Sequence, residues 1–198
     1  MLPQVPLATR ALIVANLAVF LLQYLIGGAF EAPLALWPLG PDFHLWQLVT
    51  YAFLHGSVMH IAFNMLTLYM FGSAVEMAWG RSRYLTYYFV CVVSAALTQL
   101  AVTAWMHSGE PTVGASGGIF GLLFAFAVSF PRAKVMALLV PVPLPAWLAV
   151  TIYGVVELFM GVTGAQASVA HFAHLGGMAG GALLLAWWRL QRRTINRL

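Results

Sequence analysis

Two residue types that together carry out acyl transfer stand at corresponding places in this chain. Ser116 lies in Gly114-Ala115-Ser116-Gly117-Gly118, at the start of an apolar stretch that runs on to Phe130. His174 follows fifty-eight residues later in Ala173-His174-Leu175-Gly176-Gly177, again where a membrane-length apolar run begins. A serine hydroxyl becomes a useful nucleophile when an imidazole takes its proton. In soluble hydrolases a Gly-x-Ser-x-Gly motif sits on a turn that follows a strand, and Glu110 to Val113 hardly offer one. Here the motif opens a helix instead. A nucleophile and a base that both stand where hydrocarbon begins imply peptide-bond chemistry inside a membrane.

Helical spacing groups further residues with these two. His60 and Asn64 are four apart and share one helix face. Gly177 and Gly181 lie three and seven positions after His174, beneath it on its own face, and Gly117 and Gly121 make a similar pair after Ser116. Small faces of this kind let helices approach closely, as a hydrogen bond between Ser116 and His174 requires. Polar side chains in a membrane interior turn toward the bundle or a wet cavity and are functional candidates. Read singly, the glycine pairs are packing motifs, and His55, His60, His171 and Asn64 could each serve only as interhelical hydrogen-bonding groups.

Composition calls for a membrane protein. The chain of 198 residues is 62% hydrophobic and 7% charged, with mean hydropathy +0.89, against roughly 25% charged residues in soluble domains. At about 20 residues per crossing, one all-α domain over residues 1–198 can hold six spans: about 11–29, 50–75, 84–105, 115–130, 145–161 and 169–188. The nine Lys and Arg residues then sort to one side: Arg10, Arg81, Arg83, Arg132, Lys134, Arg189, Arg192, Arg193 and Arg197. Residues 30–49, 106–114 and 162–168 carry none, but hold Glu31, Asp42 and Glu110. The positive-inside rule places both termini in the cytoplasm. It also assigns the basic excess to topology rather than to a nucleic-acid surface. No convincing cleavage site follows Met1–Arg10, so the first span is expected to stay as an uncleaved helix. The single cysteine, Cys91, sits in an apolar run and excludes an intramolecular disulfide. Pro141, Pro143 and Pro145 break the chain before the fifth span, leaving residues 131–144 as a cytosolic connection at the membrane surface. Residues 30–49, with three prolines, Trp37 and Trp46, read as a folded interfacial loop on the outer side.

This topology assigns depths. Ser116 precedes the inner marker Arg132 by 16 residues, roughly 24 Å of helix. His174 precedes Arg189 by 15 residues, roughly 22 Å, and Asn64 precedes Arg81 by 17, roughly 25 Å. In a hydrocarbon layer of roughly 30 Å all three sit at similar depth, a little below the outer surface. One shared site is the simplest account.

With these residues in order, the chain resembles the rhomboid intramembrane serine proteases over nearly its whole length. His55-x4-His60-x3-Asn64 is similar to the family's second-helix signature, Gly114-Ala115-Ser116-Gly117 to its nucleophile motif, and Ala173-His174-x2-Gly177-x3-Gly181 to its sixth-helix signature. The resemblance implies a rhomboid-like bundle of six helices, the minimal form typical of prokaryotes, in the cytoplasmic (inner) membrane. It implies a Ser116–His174 dyad without a third acidic member, Ser116 as nucleophile and His174 as general base and acid. The oxyanion would be held by His60, Asn64 and the Ser116 backbone N–H, with Gly114, Gly117, Phe120, Gly177 and Gly181 in support. Phe120 keeps the ring of a family tyrosine that stacks on the histidine, and His55 matches a structural position. Gln47, in Trp46-Gln47, replaces an expected arginine, which leaves the anchoring of its loop open. Glu76 matches a structural position, though a helix end beside Arg81 and Arg83 explains it equally well. Nothing aligns Glu157 with His174, and it reads as an interfacial glutamate. No cofactor and no metal are implied.

The function to expect is an endopeptidase that cleaves transmembrane segments of other proteins in the lipid bilayer near its outer face. The resemblance implies small residues at the cleaved bond, lateral access for the substrate between the second and fifth spans, and a cap over residues 162–170. Two readings from other classes stand beside it. One is a catalytically silent rhomboid-like protein that binds membrane clients, although such relatives usually lack the serine or the histidine and this chain has both. The other is a transporter or channel with proton-relaying histidines, but transporters often show duplicated halves and none is visible here.

Overall fold

Glycines, prolines and charges interrupt the apolar runs, and the helices follow those breaks. The computed structural model describes residues 5–137, 140–164 and 170–195. Among these, the longer helices are α1 (Leu7–Ile26), α2 (Val58–Trp79), α3 (Arg81–Met106), α4 (Ser116–Ser129), α5 (Ala146–Thr163) and α6 (His171–Ile195). Four of them, α1, α2, α3 and α5, are long and apolar enough to cross a membrane. Arg10, Arg81 and Arg83, expected just outside the spans, lie within the first turns of α1 and α3.

The second helix begins later than its expected start at 50. Gln47–Thr50 and Tyr51–Phe53 form short helical turns first, and the chain is then broken at Gly56-Ser57. Ser57 restarts it by accepting a hydrogen bond from the His60 N–H at 3.1 Å, the usual device for a helix start. Within α2, Leu68–Gly72 widens to a π-turn, a feature frequent beside functional sites. Gly80, at φ +81°, then lets α3 follow with no linker.

Helix α4 lies at the centre. Its 14 residues make about 21 Å, shorter than a roughly 30 Å hydrocarbon layer. Gly117, Gly118, Ile119, Gly121, Leu122, Leu123, Ala125 and Ala127 are all buried. Its neighbours can come this close because glycine meets backbone or side chain directly. A Cβ on Gly177 of α6 would overlap the Gly117 carbonyl of α4, and one on Gly121 would overlap Cys91 Sγ of α3. Cβ atoms on Gly176, Gly180 and Gly181 would overlap Thr98, Ser94 and Tyr87, all on α3. The α4–α6 contact thus rests on Gly177, whereas Gly181 packs on α3 rather than on α4. Interhelical hydrogen bonds reinforce the seams: Tyr87 Oη donates to Gly121 O at 2.9 Å, Tyr51 Oη to Val92 O at 2.8 Å and Ser94 Oγ to Gly176 O at 2.9 Å.

Helix ends pair alternately. At one end Glu76 of α2 accepts from Ala8 N (2.9 Å), Thr9 N (2.7 Å) and Thr9 Oγ1 (2.8 Å) of α1. It caps a helix that Pro6 leaves without a side-chain cap and complements its positive end. The same end brings Trp79 Nε1 to Ser129 Oγ at 3.1 Å and Arg83 over Trp188 at 4.4 Å. At the opposite end Leu36 and Thr112 exchange backbone hydrogen bonds of 3.0 and 2.9 Å, and Gly114 N donates to Tyr51 O at 2.9 Å.

Two connections have more structure than an all-α reading contains. β1 (Lys134–Ala137) and β2 (Val140–Pro145) form an antiparallel pair with Lys134 opposite Pro145 and Val135 opposite Leu144. Prolines exclude a helix there, yet a two-stranded ribbon tolerates them because each strand is an edge. In the loop over residues 30–49, Gln47 is wholly buried. Its Oε1 accepts from Trp37 N at 3.3 Å and His44 N at 3.2 Å, and its Nε2 donates to Asp42 O at 2.9 Å and Pro33 O at 3.4 Å. Glutamine therefore anchors the loop where arginine was expected, using both halves of the amide.

Gly177→Ala is expected to destabilise the protein by more than the roughly 1–3 kcal/mol of ordinary overpacking, because backbone must yield. Thermal unfolding in mild detergent checks this against Gly109→Ala, where a Cβ would meet nothing within 4 Å. Equal midpoints for the two variants would contradict the packing account. Gln47→Ala strands buried backbone groups and should cost about 1–3 kcal/mol, read as a lower midpoint and faster proteolysis of residues 30–49.

Candidate active site

Ser116 reaches its position through the turn before α4. Gly114 holds φ at +130°, a conformation that side-chain-bearing residues rarely adopt. A Cβ there would also lie 2.8 Å from His60 Nε2 and 3.7 Å from Ser116 Oγ. The same point is thus flanked by the imidazole of α2 and the hydroxyl of α4. Ser116 is the first residue of α4, so its backbone N–H belongs to the turn that intrahelical bonding leaves unpaired.

His174 sits in the first turn of α6 and is 7% exposed. Its Nε2 is 2.7 Å from Ser116 Oγ. The ring lies flat on Phe120 of α4, with centroids 4.3 Å apart and planes at 4°. Across α2, Asn64 is buried, and its Nδ2 has no hydrogen-bond partner among the described residues. A buried donor without an acceptor is costly and fits a site built to receive a negative oxygen.

The far side of the histidine differs from the sequence reading. Glu157 of α5 places Oε2 2.9 Å from His174 Nδ1 and 2.7 Å from His171 Nδ1. It is not an isolated interfacial glutamate but lies against the histidine that the resemblance left without an acidic partner. The reason is tertiary: α5 and α6 pack side by side, and the three-residue spacing of His171 and His174 turns both rings to one face. A carboxylate in an apolar span was itself a signal. The donor atoms of Glu157, His171 and His174 lie within 4.8 Å of one another, a set that transition metals also accept.

Gln23 of α1 was not singled out by its sequence either. Its Oε1 accepts from His55 N at 2.9 Å, and its Nε2 donates to Glu31 Oε2 at 3.3 Å and to His55 O at 3.4 Å. His55 meets the His60 ring edge-on at 5.0 Å. A polar residue on the first helix thereby steadies the segment that leads into α2. Of the expected cap, residues 165–169 lie outside the described residues.

The arrangement can activate a serine, return a proton to a leaving group and offer donors to an oxyanion. Comparison with known proteins identifies the family. Residues 42–192 match the model of the Rhomboid domain. The chain is similar to the mitochondrial Rhomboid protein 1 of Saccharomyces cerevisiae, with 32% identity over 144 residues, covering 72% of this chain and 41% of that one. It is similar to the Rhomboid protease GluP of Bacillus subtilis, with 29% identity over 136 residues, or 69% of this chain and 24% of the relative. With the Rhomboid protease GlpG of Yersinia pestis it shares 28% identity over 196 residues, covering 95% of this chain and 65% of GlpG. It spans less than two thirds of the length of each of these relatives. The match over most of the chain, and the serine and histidine brought together at the head of α4 and α6, place this protein in the rhomboid family.

Proposed function

We propose that this protein is an intramembrane serine endopeptidase that cleaves transmembrane segments of other membrane proteins near the outer membrane face. The observation that carries the reading is the 2.7 Å contact between Ser116 Oγ and His174 Nε2 at the head of a short, buried helix. In the first step Ser116 Oγ bonds to the scissile carbonyl carbon while its proton passes to His174 Nε2. That proton then goes to the leaving nitrogen as the C–N bond breaks. Water, deprotonated by His174 Nε2, then bonds to the acyl carbon, and that proton returns to Ser116 Oγ as the ester C–O bond breaks, which releases the acid and restores the serine. The developing oxyanion is held by the Ser116 backbone N–H, His60 and Asn64, with the positive end of α4 adding to them. Asn64's unpartnered Nδ2 supports that role.

The six helices form a bundle that passes the membrane six times, with both termini in the cytoplasm. The alternate pairing of helix ends supports this, since Arg10, Arg81, Arg83, Arg132, Lys134 and Arg189 gather with the Glu76 and Trp79 contacts at one end. The site lies at the other end. Because α4 is shorter than the hydrocarbon layer is thick, Ser116 can lie below the outer surface and still meet water. A substrate helix would arrive sideways between α2 and α5 and unwind locally, since its own hydrogen bonds shield the bond to be cut. The bacterial relatives point to a prokaryotic inner membrane.

Fluorophosphonate labelling of the purified protein in mild detergent tests the nucleophile. Labelling is expected in the parent and absent from Ser116→Ala and His174→Ala. If a folded parent labels no better than Ser116→Ala, the protease reading fails and a client-binding role replaces it. Asn64→Ala should lower kcat on a fluorogenic transmembrane peptide by about 10²–10³-fold, with KM little changed. A loss confined to KM would remove Asn64 from the oxyanion site.

A further inference from the structure

We infer that Glu157 and His171 are positioning residues for the base, completing a Ser116–His174–Glu157 relay that His171 holds in register. The inference rests on the reading of Ser116 and His174 as nucleophile and base. It departs from the two-residue machinery that the family resemblance implies.

The argument starts from the carboxylate. Glu157 is 14% exposed, in a helix of otherwise apolar character, where a carboxylate needs partners to remain charged. Among the described residues two stand on one oxygen: His171 Nδ1 at 2.7 Å and His174 Nδ1 at 2.9 Å. An ionised carboxylate only accepts hydrogen bonds, so both Nδ1 atoms carry hydrogen and donate. For neutral His174 this leaves Nε2 bare, and Nε2 is the atom that faces Ser116 Oγ at 2.7 Å. The base is therefore held in the one tautomer able to take the serine proton. Among the described residues no hydrogen-bond partner of Nδ1 other than Glu157 selects it, because stacking on Phe120 fixes the ring plane but is indifferent to which nitrogen bears hydrogen. When His174 has taken the proton, the carboxylate also stands beside the cation it has become. His171 adds the second donor to the same oxygen, so the carboxylate cannot swing away from His174 without leaving a buried donor unpaired.

Nitrogen-15 NMR of histidine-labelled protein in the Ser116→Ala background reads the tautomer directly, with His174 assigned by substitution. The expected state is hydrogen on Nδ1; hydrogen on Nε2 overturns the inference whatever the variants do. Glu157→Gln keeps the shape and removes the charge, and should lower kcat about 10²–10⁴-fold with KM and thermal midpoint near the parent's. Glu157→Asp should recover part of that loss, which a merely structural role would not predict. His171→Asn should lower kcat less and leave the His174 tautomer mixed; it remains decisive if Glu157→Gln does not fold. Parental kcat in folded Glu157→Gln overturns the proposal. So does activity that a chelator removes and Zn2+ restores, which would make the cluster a metal site. These failures are distinct from that of the protease reading. That reading fails if the parent itself shows no labelling at Ser116, and it stands if parent and Glu157→Gln label alike.

Discussion

Much of the structure depends on the place where α4 and α6 touch with no side chain between them. Gly177 lies on the carbonyl of Gly117, too close for any Cβ. Lipid tails are as apolar as the helices, so contact in a membrane has little hydrophobic drive and relies on close packing and interhelical hydrogen bonds. Glycine provides the first, and Ser94, Tyr51 and Tyr87 provide the second by donating to backbone carbonyls. Gly117 is next to Ser116, and Gly177 is one turn from His174. The backbone separation at the glycines thus becomes the separation of hydroxyl and imidazole one turn higher.

Around that contact, polar side chains are mostly satisfied by backbone or by each other. Glu76 holds the first turn of α1, Gln23 brackets the backbone of His55, and Gln47 ties together four points of the outer loop. Each sits where an unpaired group would be costly, and each fixes a segment on which the site depends. Asn64 is the contrast, a buried amide with a donor left open. Buried polar atoms of Asn16, His55, Ser73, Tyr84 and Tyr88 are also without a partner among the described residues, but Asn64 shares its face of α2 with His60, which flanks Gly114 and Ser116.

The Glu157 cluster extends the same logic to chemistry. Two histidines on one face of α6 meet one carboxylate oxygen from α5, and that single oxygen sets which nitrogen of His174 faces the serine. A charged group in an apolar span is tolerated because its neighbours are donors, and those donors are thereby oriented. Stability and reactivity draw on one set of hydrogen bonds.

The sequence by itself determined the membrane class and most of the helical runs, and it named the residues expected at a shared site. These follow from periodicity, charge asymmetry and the helix rise, all properties of a chain read one residue at a time. Counting residues from the basic markers put Ser116, His174 and Asn64 at one depth, and small-residue spacing showed where α4 and α6 could approach. Depth and helix face, however, do not say which side chain on one helix meets which on the next. That is why Glu157 read as interfacial, why the helix that packs on Gly181 stayed open, and why the anchoring by Gln47 was not legible. The pairing of Lys134–Ala137 with Val140–Pro145 was hidden for a related reason: prolines state what the chain cannot be, not which strand it will pair with. Those choices belong to tertiary structure, because hydrogen-bond partners are selected by distance and angle in three dimensions, which spacing along the chain does not encode.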